Sequence, residues 1–411
     1  MKEIYLDASN GTPLDERVLE KMLPYLKEEF GNPSSLYSLG GRAQEAIENA
    51  RKNVSELIGA NPEEIIFTSS GSESNNLAIK GVMLSQNKKK HLIVSAIEHF
   101  SVLHPARSLS RLGYELSIVG VDHQGYLNLA ELKNALRPDT ALVSIQYASP
   151  EIGTIQNIAE IARIVHSAGA ILHTDAVAAV GQIPINLKEL PVDLLSLSAS
   201  QFYGPKGAAA LFVRRGVRLL PQIEGGIQEL GRRAGLENVA AIVGLGEAAR
   251  LLKQEMSENN QRIIALRDRL IEELPKRIDY IYLNGDPKNR LPNNAHFSIE
   301  FIEGEAMLLF LDQEGIAVSS GSACTSRALK ASHVLSAIGV DAALAQGSLN
   351  FGLTRYNQKE DIEQVLEKLP PIVKRLREMS PLWSHFQKTG ERMVAGPGTD
   401  YEHGEDNEQE K

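Results

Sequence analysis

Glu64-Ile65-Ile66-Phe67-Thr68-Ser69-Ser70-Gly71-Ser72-Glu73-Ser74-Asn75-Asn76 runs directly into a helical pattern over Leu77–Leu84. A short apolar run, a Gly/Ser turn and a helix start in succession read as a strand feeding a helix. The first-turn N–H groups of such a helix lack intrahelical partners and its dipole favours negative charge, so the turn suits an anion; an ordinary capped connection has the same appearance. Outward from this unit the alternation repeats. His91–Ala96, Glu115–Val119, Ala141–Tyr147, Ala170–Thr174, Leu194–Leu197 and Ala208–Val213 are strand-like, with helical stretches such as Asn128–Leu136 and Ile155–Ser167 between them. This predicts an α/β fold with a mostly parallel sheet and helices on both faces. Ligands in that architecture bind beyond the carboxyl ends of the strands. His99, Ser149-Pro150-Glu151, Asp175 and Ser198 to Gln201 stand at those ends.

Upstream, helical spacing over Leu14–Phe30 stops at Gly31-Asn32-Pro33 and resumes over Ala43–Ile58. From Leu251 the pattern changes to a long charged helix through about Leu274. Strand-like Tyr280–Leu283, Ala295–Ile299 and Ala317–Ser319 follow, interleaved with a helix over Glu305–Asp312, then Phe351–Thr354 and a helix over Glu360–Arg377. The expected organisation is a large domain over 14–250 and a smaller α+β domain built from 1–13 and 251–378. A terminal segment, 379–411, ends in an acidic, Gly-rich tail unable to bury a core.

The 411 residues carry 43 basic and 52 acidic side chains, a net charge of −9. Gly398 to Lys411 alone holds six acids and one lysine, −5 of that total, so the body is nearly balanced. This argues against a nucleic-acid binder. No apolar run approaches the ~18 residues of a membrane span and the start has no apolar leader, so no membrane role is expected. One cysteine excludes an internal disulfide, and the cytoplasm is the expected compartment. That cysteine sits in Ser319-Ser320-Gly321-Ser322-Ala323-Cys324-Thr325-Ser326, among small residues rather than the bulky neighbours of a core position. Cys324 therefore reads as a working thiol.

The chain resembles the cysteine desulfurases of the class V aminotransferase superfamily over roughly Glu3 to Trp383. The resemblance rests on Gly31-Asn32-Pro33-Ser34-Ser35, Ser74-Asn75-Asn76-Leu77-Ala78-Ile79, Glu98-His99, Glu151-Ile152-Gly153-Thr154-Ile155-Gln156, Tyr203-Gly204-Pro205-Lys206-Gly207 and the Cys324 loop. That loop is similar to the branch feeding iron–sulfur cluster assembly. The resemblance implies the fold-type I fold of pyridoxal-phosphate-dependent transferases and conversion of L-cysteine to L-alanine, with the sulfur left on the loop thiol as a persulfide. It implies a phosphate cradle at Gly71 and Ser72 with Ser198 and Ser200 nearby, a ring-stacking His99, a pyridine-nitrogen partner in Asp175 and a carboxylate fork in Arg355. Asp175 as a strand-end cap and His99 as a satisfied polar residue are the plain alternatives.

One group is missing. Where the family reads Ser-Ala-His-Lys, this chain reads Ser198-Ala199-Ser200-Gln201, and a primary amide neither links covalently to the cofactor nor carries a proton near neutral pH. Ser149-Pro150 replaces an Asn pair, Ala178 a Gln, Ser200 a His and Leu236 a Thr; Ser9-Asn10-Gly11 replaces Ala-Ala-Thr and Asn350 a usual Arg. Ordinary turnover is therefore expected to be impaired. Three readings follow: an assembly homodimer whose Cys324 carries a persulfide or ligates a cluster shared with an iron–sulfur scaffold protein, a desulfurase working with non-covalent pyridoxal phosphate, or a structural pseudoenzyme pairing with an active paralogue. Met379-Ser380-Pro381-Leu382-Trp383 resembles the segment with which the family docks its scaffold; a helix end with Trp383 packed on its own chain is the alternative.

Overall fold

The computed structural model describes residues 3–320 and 332–392. Its elements run β1 (Ile4–Tyr5), α1 (Glu16–Lys27), α2 (Ser38–Ile58), β2 (Ile65–Thr68), α3 (Gly71–Ser85), β3 (His91–Ser95), α4 (Phe100–Ser110), β4 (Glu115–Val119), α5 (Leu129–Ala135), β5 (Thr140–Ser144), α6 (Ile158–Ser167), β6 (Ile171–Asp175), β7 (Leu194–Ser198) and β8 (Ala209–Val213). Then come α7 (Val239–Arg277), β9 (Ile281–Leu283), β10 (Asn294–Ile299), α8 (Gly304–Gln313), β11 (Ile316–Ala317), α9 (His333–Ala337), α10 (Ala342–Gln346), β12 (Ser348–Gly352), α11 (Lys359–Met379) and α12 (Pro381–Thr389).

Seven strands form one sheet in the order β2-β8-β7-β6-β5-β3-β4. All pairings are parallel except those of β8, which runs antiparallel to both β2 and β7. Two reversals cancel, so β2 points the same way as β7, β6, β5 and β3. The carboxyl ends of all these strands, and with them the start of α3, therefore meet at one edge. Successive side chains on a strand point to opposite faces, and here both faces are covered. Ile93, Val143, Leu195 and Phe212 enter one core beneath α2, α6 and α7, while their neighbours Leu92, Leu142, Leu194 and Leu211 enter the other beneath α3 and α4. Burial on both sides is why these strands read as continuous apolar runs.

A third core joins the far half of α7 to α8, α11 and the antiparallel sheet β12-β10-β9. The N-terminal strand closes this part: Ile4 and Tyr5 pair in parallel with Ile316 and Ala317, and Asp7 bridges Gly352. The expected boundary at 250/251 falls inside α7, which runs unbroken for 39 residues and contributes to both cores. Its first third is Ala- and Gly-rich and packs on α1 and α2, where added bulk has no room: a Cβ at Gly246 would lie 2.5 Å from Ala50 Cα. Pro381 does not merely end α11; it opens α12. No helix among the described residues is long and apolar enough to cross a membrane.

Candidate active site

A cleft of about 250 Å³ opens at the carboxyl edge of the large sheet. Gly71, Ser72, His99, Asp175, Ser198 and Ser200 all line it, joined by Ser9, Asn10, Asn75, Ser101, Gln146, Pro150, Ala178 and Gln201. The sequence-derived set is thus brought together except for two members. Arg355 does not line the cleft: its guanidinium pairs with Asp15 and Glu255 and lies 4.0 Å above the Tyr203 ring. Those carboxylates, not the cleft, take up its fork. Cys324, expected as the catalytic thiol and as a metal ligand, lies outside the described residues. Among the described residues no cluster of three or more His, Cys, Asp or Glu side chains could hold a metal ion.

Asp175 ends β6 and is held rigidly. Its Oδ2 accepts from Asn75 Nδ2 at 2.7 Å and its Oδ1 from the Val177 N–H at 3.0 Å. The other hydrogen of the Asn75 amide goes to Ser101 Oγ at 2.8 Å, and Ser101 Oγ lies 2.7 Å from His99 Nδ1. Asn75 and Ser101 thus tie the acid at one end of the cleft to the imidazole over its face. Asn75 Oδ1 is buried with no partner among the described residues. Asn75 belongs to the Ser74–Ile79 motif, and its place one turn along α3 from Gly71 is the sequence signal for this role.

At the other end Ser70 caps α3, its Oγ accepting from the Glu73 N–H at 3.1 Å. The N–H groups of Gly71 and Ser72 remain free of intrahelical partners. Glycine is needed here, because a Cβ at Gly71 would stand 2.6 Å from Val177 Cγ2. Beneath the cleft, Glu98 is fully buried, its Oε1 accepting from Ser95 Oγ at 2.6 Å and from the Gln146 N–H at 2.8 Å. Burial pushes its pKa up to about 8, so the carboxyl is mostly neutral at pH 7.

Gln201, Ser9, Asn350 and Pro150 are linked to one another by hydrogen bonds. Gln201 Nε2 donates to Ser9 O at 3.4 Å, while Asn350 Nδ2 donates to Ser9 Oγ at 3.2 Å and to Pro150 O at 3.3 Å. Ser198 and Ser200 share a hydrogen bond of 3.1 Å. Lys206 is exposed and does not line the cleft, and no described residue lining it bears an amine. The arrangement fits the poles of pyridoxal phosphate: free N–H groups for a phosphate, a fixed carboxylate for a pyridinium and an imidazole for the ring. It does not fit a covalent anchor at position 201.

The family model of the class-V aminotransferases matches residues 4–365. A cysteine desulfurase IscS of Dictyoglomus turgidum is 51% identical over 381 residues, covering 92% of this chain and 97% of that protein. The IscS of Methanosarcina thermophila is 50% identical, covering 93% and 94%. Among solved structures, a NifS-like protein aligns with a TM-score of 0.86 at 36% identity, over 91% of this chain and all of its own. A NifS-like protein of Rickettsia africae aligns with a TM-score of 0.82 at 34% identity, over 90% and 99%. With the cleft's cofactor-shaped set of contacts, these likenesses show that the chain belongs to the class-V aminotransferases and, within them, to the cysteine desulfurases.

Proposed function

We propose that the protein is a cysteine desulfurase of iron–sulfur cluster assembly that holds pyridoxal phosphate without a covalent link and turns over slowly. The observation supporting this is the gathering of Gly71, Ser72, His99 and Asp175 in one cleft, in a chain half identical to named desulfurases. Pyridoxal phosphate supplies an electron sink for charge developing at the amino-acid Cα. Asp175 would keep the ring nitrogen protonated, His99 would be the partner for the ring, and the Gly71 and Ser72 N–H groups, with Ser198 and Ser200, would receive the phosphate. L-Cysteine is the substrate, and Cys324 takes its sulfur, so that cysteine and enzyme thiol become alanine and enzyme persulfide. A solved homologue described as SspA in complex with cysteine, 33% identical, supports the choice of amino acid. Gln201 cannot shuttle the proton, and losing a general base alone costs ~10²–10⁴ in rate.

The absence of an amine among the described residues of the cleft favours a second reading, in which Cys324 carries sulfur made elsewhere or ligates a cluster shared with the scaffold. In both, the protein is a homodimer of the cytoplasm, and the scaffold docks beside α12. The groove between α8, α10 and the α11–α12 corner, about 480 Å³ and lined by Phe301, Leu344, Leu376, Met379 and Leu382, gives that partner an apolar seat. Trp383 itself packs within its own chain, 5.1 Å from Phe301 with the Arg377 guanidinium at 5.1 Å, so the exposed Met379 and Leu382 form the partner's edge.

The deciding experiment supplies pyridoxal phosphate, L-cysteine and a thiol reductant and measures alanine and sulfide together. Equal amounts of both, lost in Cys324→Ser, support the first reading. No alanine, but Cys324-dependent uptake of persulfide from an active desulfurase, supports the second. Borohydride trapping should leave no pyridoxyl adduct on any lysine; a stoichiometric adduct on Lys206 overturns the non-covalent arrangement.

A further inference from the structure

His99 projects from a tight turn, Ile97-Glu98-His99-Phe100, between the end of β3 and the start of α4. The large sheet holds one side of this turn: Gln146 Nε2 donates to Ile97 O at 2.8 Å and the Gln146 N–H to Glu98 Oε1. The other side is held from far along the chain. His333, at the start of α9, has its Nε2 2.9 Å from the Glu98 carbonyl oxygen. A carbonyl only accepts, so Nε2 carries the proton and donates. The ring also lies 4.7 Å from Phe100, whose opposite neighbour is His104 at 5.0 Å. His333 thus grips the residue on each side of His99 without lining the cleft itself.

The grip is a built one. Ser332 caps α9, its Oγ accepting from the Val334 and Leu335 N–H groups at 3.1 and 3.3 Å. Val334, Leu335 and Ile338 bury themselves against Ile97 and Ile152, in a core separate from those of the sheets. Among the described residues His333 Nδ1 is buried with no partner, and the directed bond of the ring is that to Glu98 O. A helix fastened by its own core and spending that bond on one carbonyl sets where the carbonyl sits. The next residue is the imidazole over the cleft.

We propose that His333 is the positioning residue for His99, fixing the face of the cleft on which the cofactor ring stacks. The proposal rests on the reading that the cleft holds pyridoxal phosphate, but the grip exists without it. Two variants separate its parts: His333→Phe keeps a ring against Phe100 and removes the donor, and His333→Gln restores a donor of similar reach.

Hydrogen exchange in the cofactor-free protein should be roughly three- to tenfold faster at the amides of 97–103 in His333→Phe, the weight of one hydrogen bond. Exchange in α6 and β6 should be unchanged, and His333→Gln should return the turn toward wild type. Titration with pyridoxal phosphate, followed by its absorption, should give a weaker dissociation constant by a similar factor in His333→Phe, again recovered in His333→Gln. Unaltered exchange at 97–103 in His333→Phe overturns the proposal, as does a uniform rise across the protein, which marks a merely structural role. Failure of the wild type to bind pyridoxal phosphate overturns the reading of the cleft instead, and the exchange result still decides the role of His333.

Discussion

At position 201 the amide sits within a hydrogen-bonded wall shared with Ser9, Asn350 and Pro150. A lysine placed there alone enters surroundings shaped for a shorter, neutral group. Gln201→Lys is therefore expected to leave alanine production well below that of an active homologue, because catalytic groups acting as a unit are strongly non-additive. Full recovery by the single change would show the wall to be incidental. Glu98 gives a second residue-level expectation. Its folded carboxyl keeps its proton to about pH 8, whereas an unfolded one releases it near the ordinary carboxylate value. The favourable difference is complete in acid and is lost as pH rises through about 8, at about 1.4 kcal/mol per unit of displacement. Glu151, buried and pushed up to about 7, acts in the same sense. The wild-type unfolding midpoint should drop as pH rises from about 5 to about 8, and Glu98→Gln should flatten that drop. Parallel curves for the two proteins would assign the alkaline loss elsewhere.

The amino end of α3 is the element on which cofactor recognition turns. Gly71→Ala brings a methyl group against Val177, which follows two residues after Asp175, so either the Val177 side chain or the helix start must give way. The loss should be specific to the phosphate: affinity for pyridoxal phosphate falls about tenfold, the scale of one charge-assisted hydrogen bond, while affinity for pyridoxal is unchanged. An equal loss for both compounds would place the damage at the ring. Much of this edge was legible in the sequence, since strand-helix alternation fixes which residues follow each carboxyl end. The direction of β8 was not, because an apolar strand buried on both faces carries no mark of polarity. Nor was the early start of α7: its first third is buried on several sides and lacks the one-sided stripe that marks an amphipathic helix. Arg355 is a different case: the resemblance assigns its guanidinium to a substrate carboxylate, and the ion pairs with Asp15 and Glu255, far away in sequence, appear only in the fold.

For the whole molecule, the segment around Glu229 bears on the proposed homodimer. Glu229 takes two hydrogen bonds of 2.8 Å from the Arg51 guanidinium and another from the Phe67 N–H, although its φ of 48° is unfavourable for a side-chain-bearing residue. This anchoring presents its neighbours outward, with Ile227 90% and Leu230 78% exposed. A second copy would bury them, so sedimentation should find a dimer and Ile227→Glu with Leu230→Glu should yield a folded monomer. A monomeric wild type at micromolar concentration would leave these side chains without an occupant. The pairing of β1 with β11 has a consequence in time. During synthesis every strand of the large sheet has emerged by Val213, while Ile4 and Tyr5 still lack Ile316 and Ala317, and Asp7 lacks Gly352. The residues of β1 are made before the large sheet and find their partners only after it. A ribosome-bound chain arrested before Ile316 should therefore leave β1 open to a protease, and release of the arrest should close it.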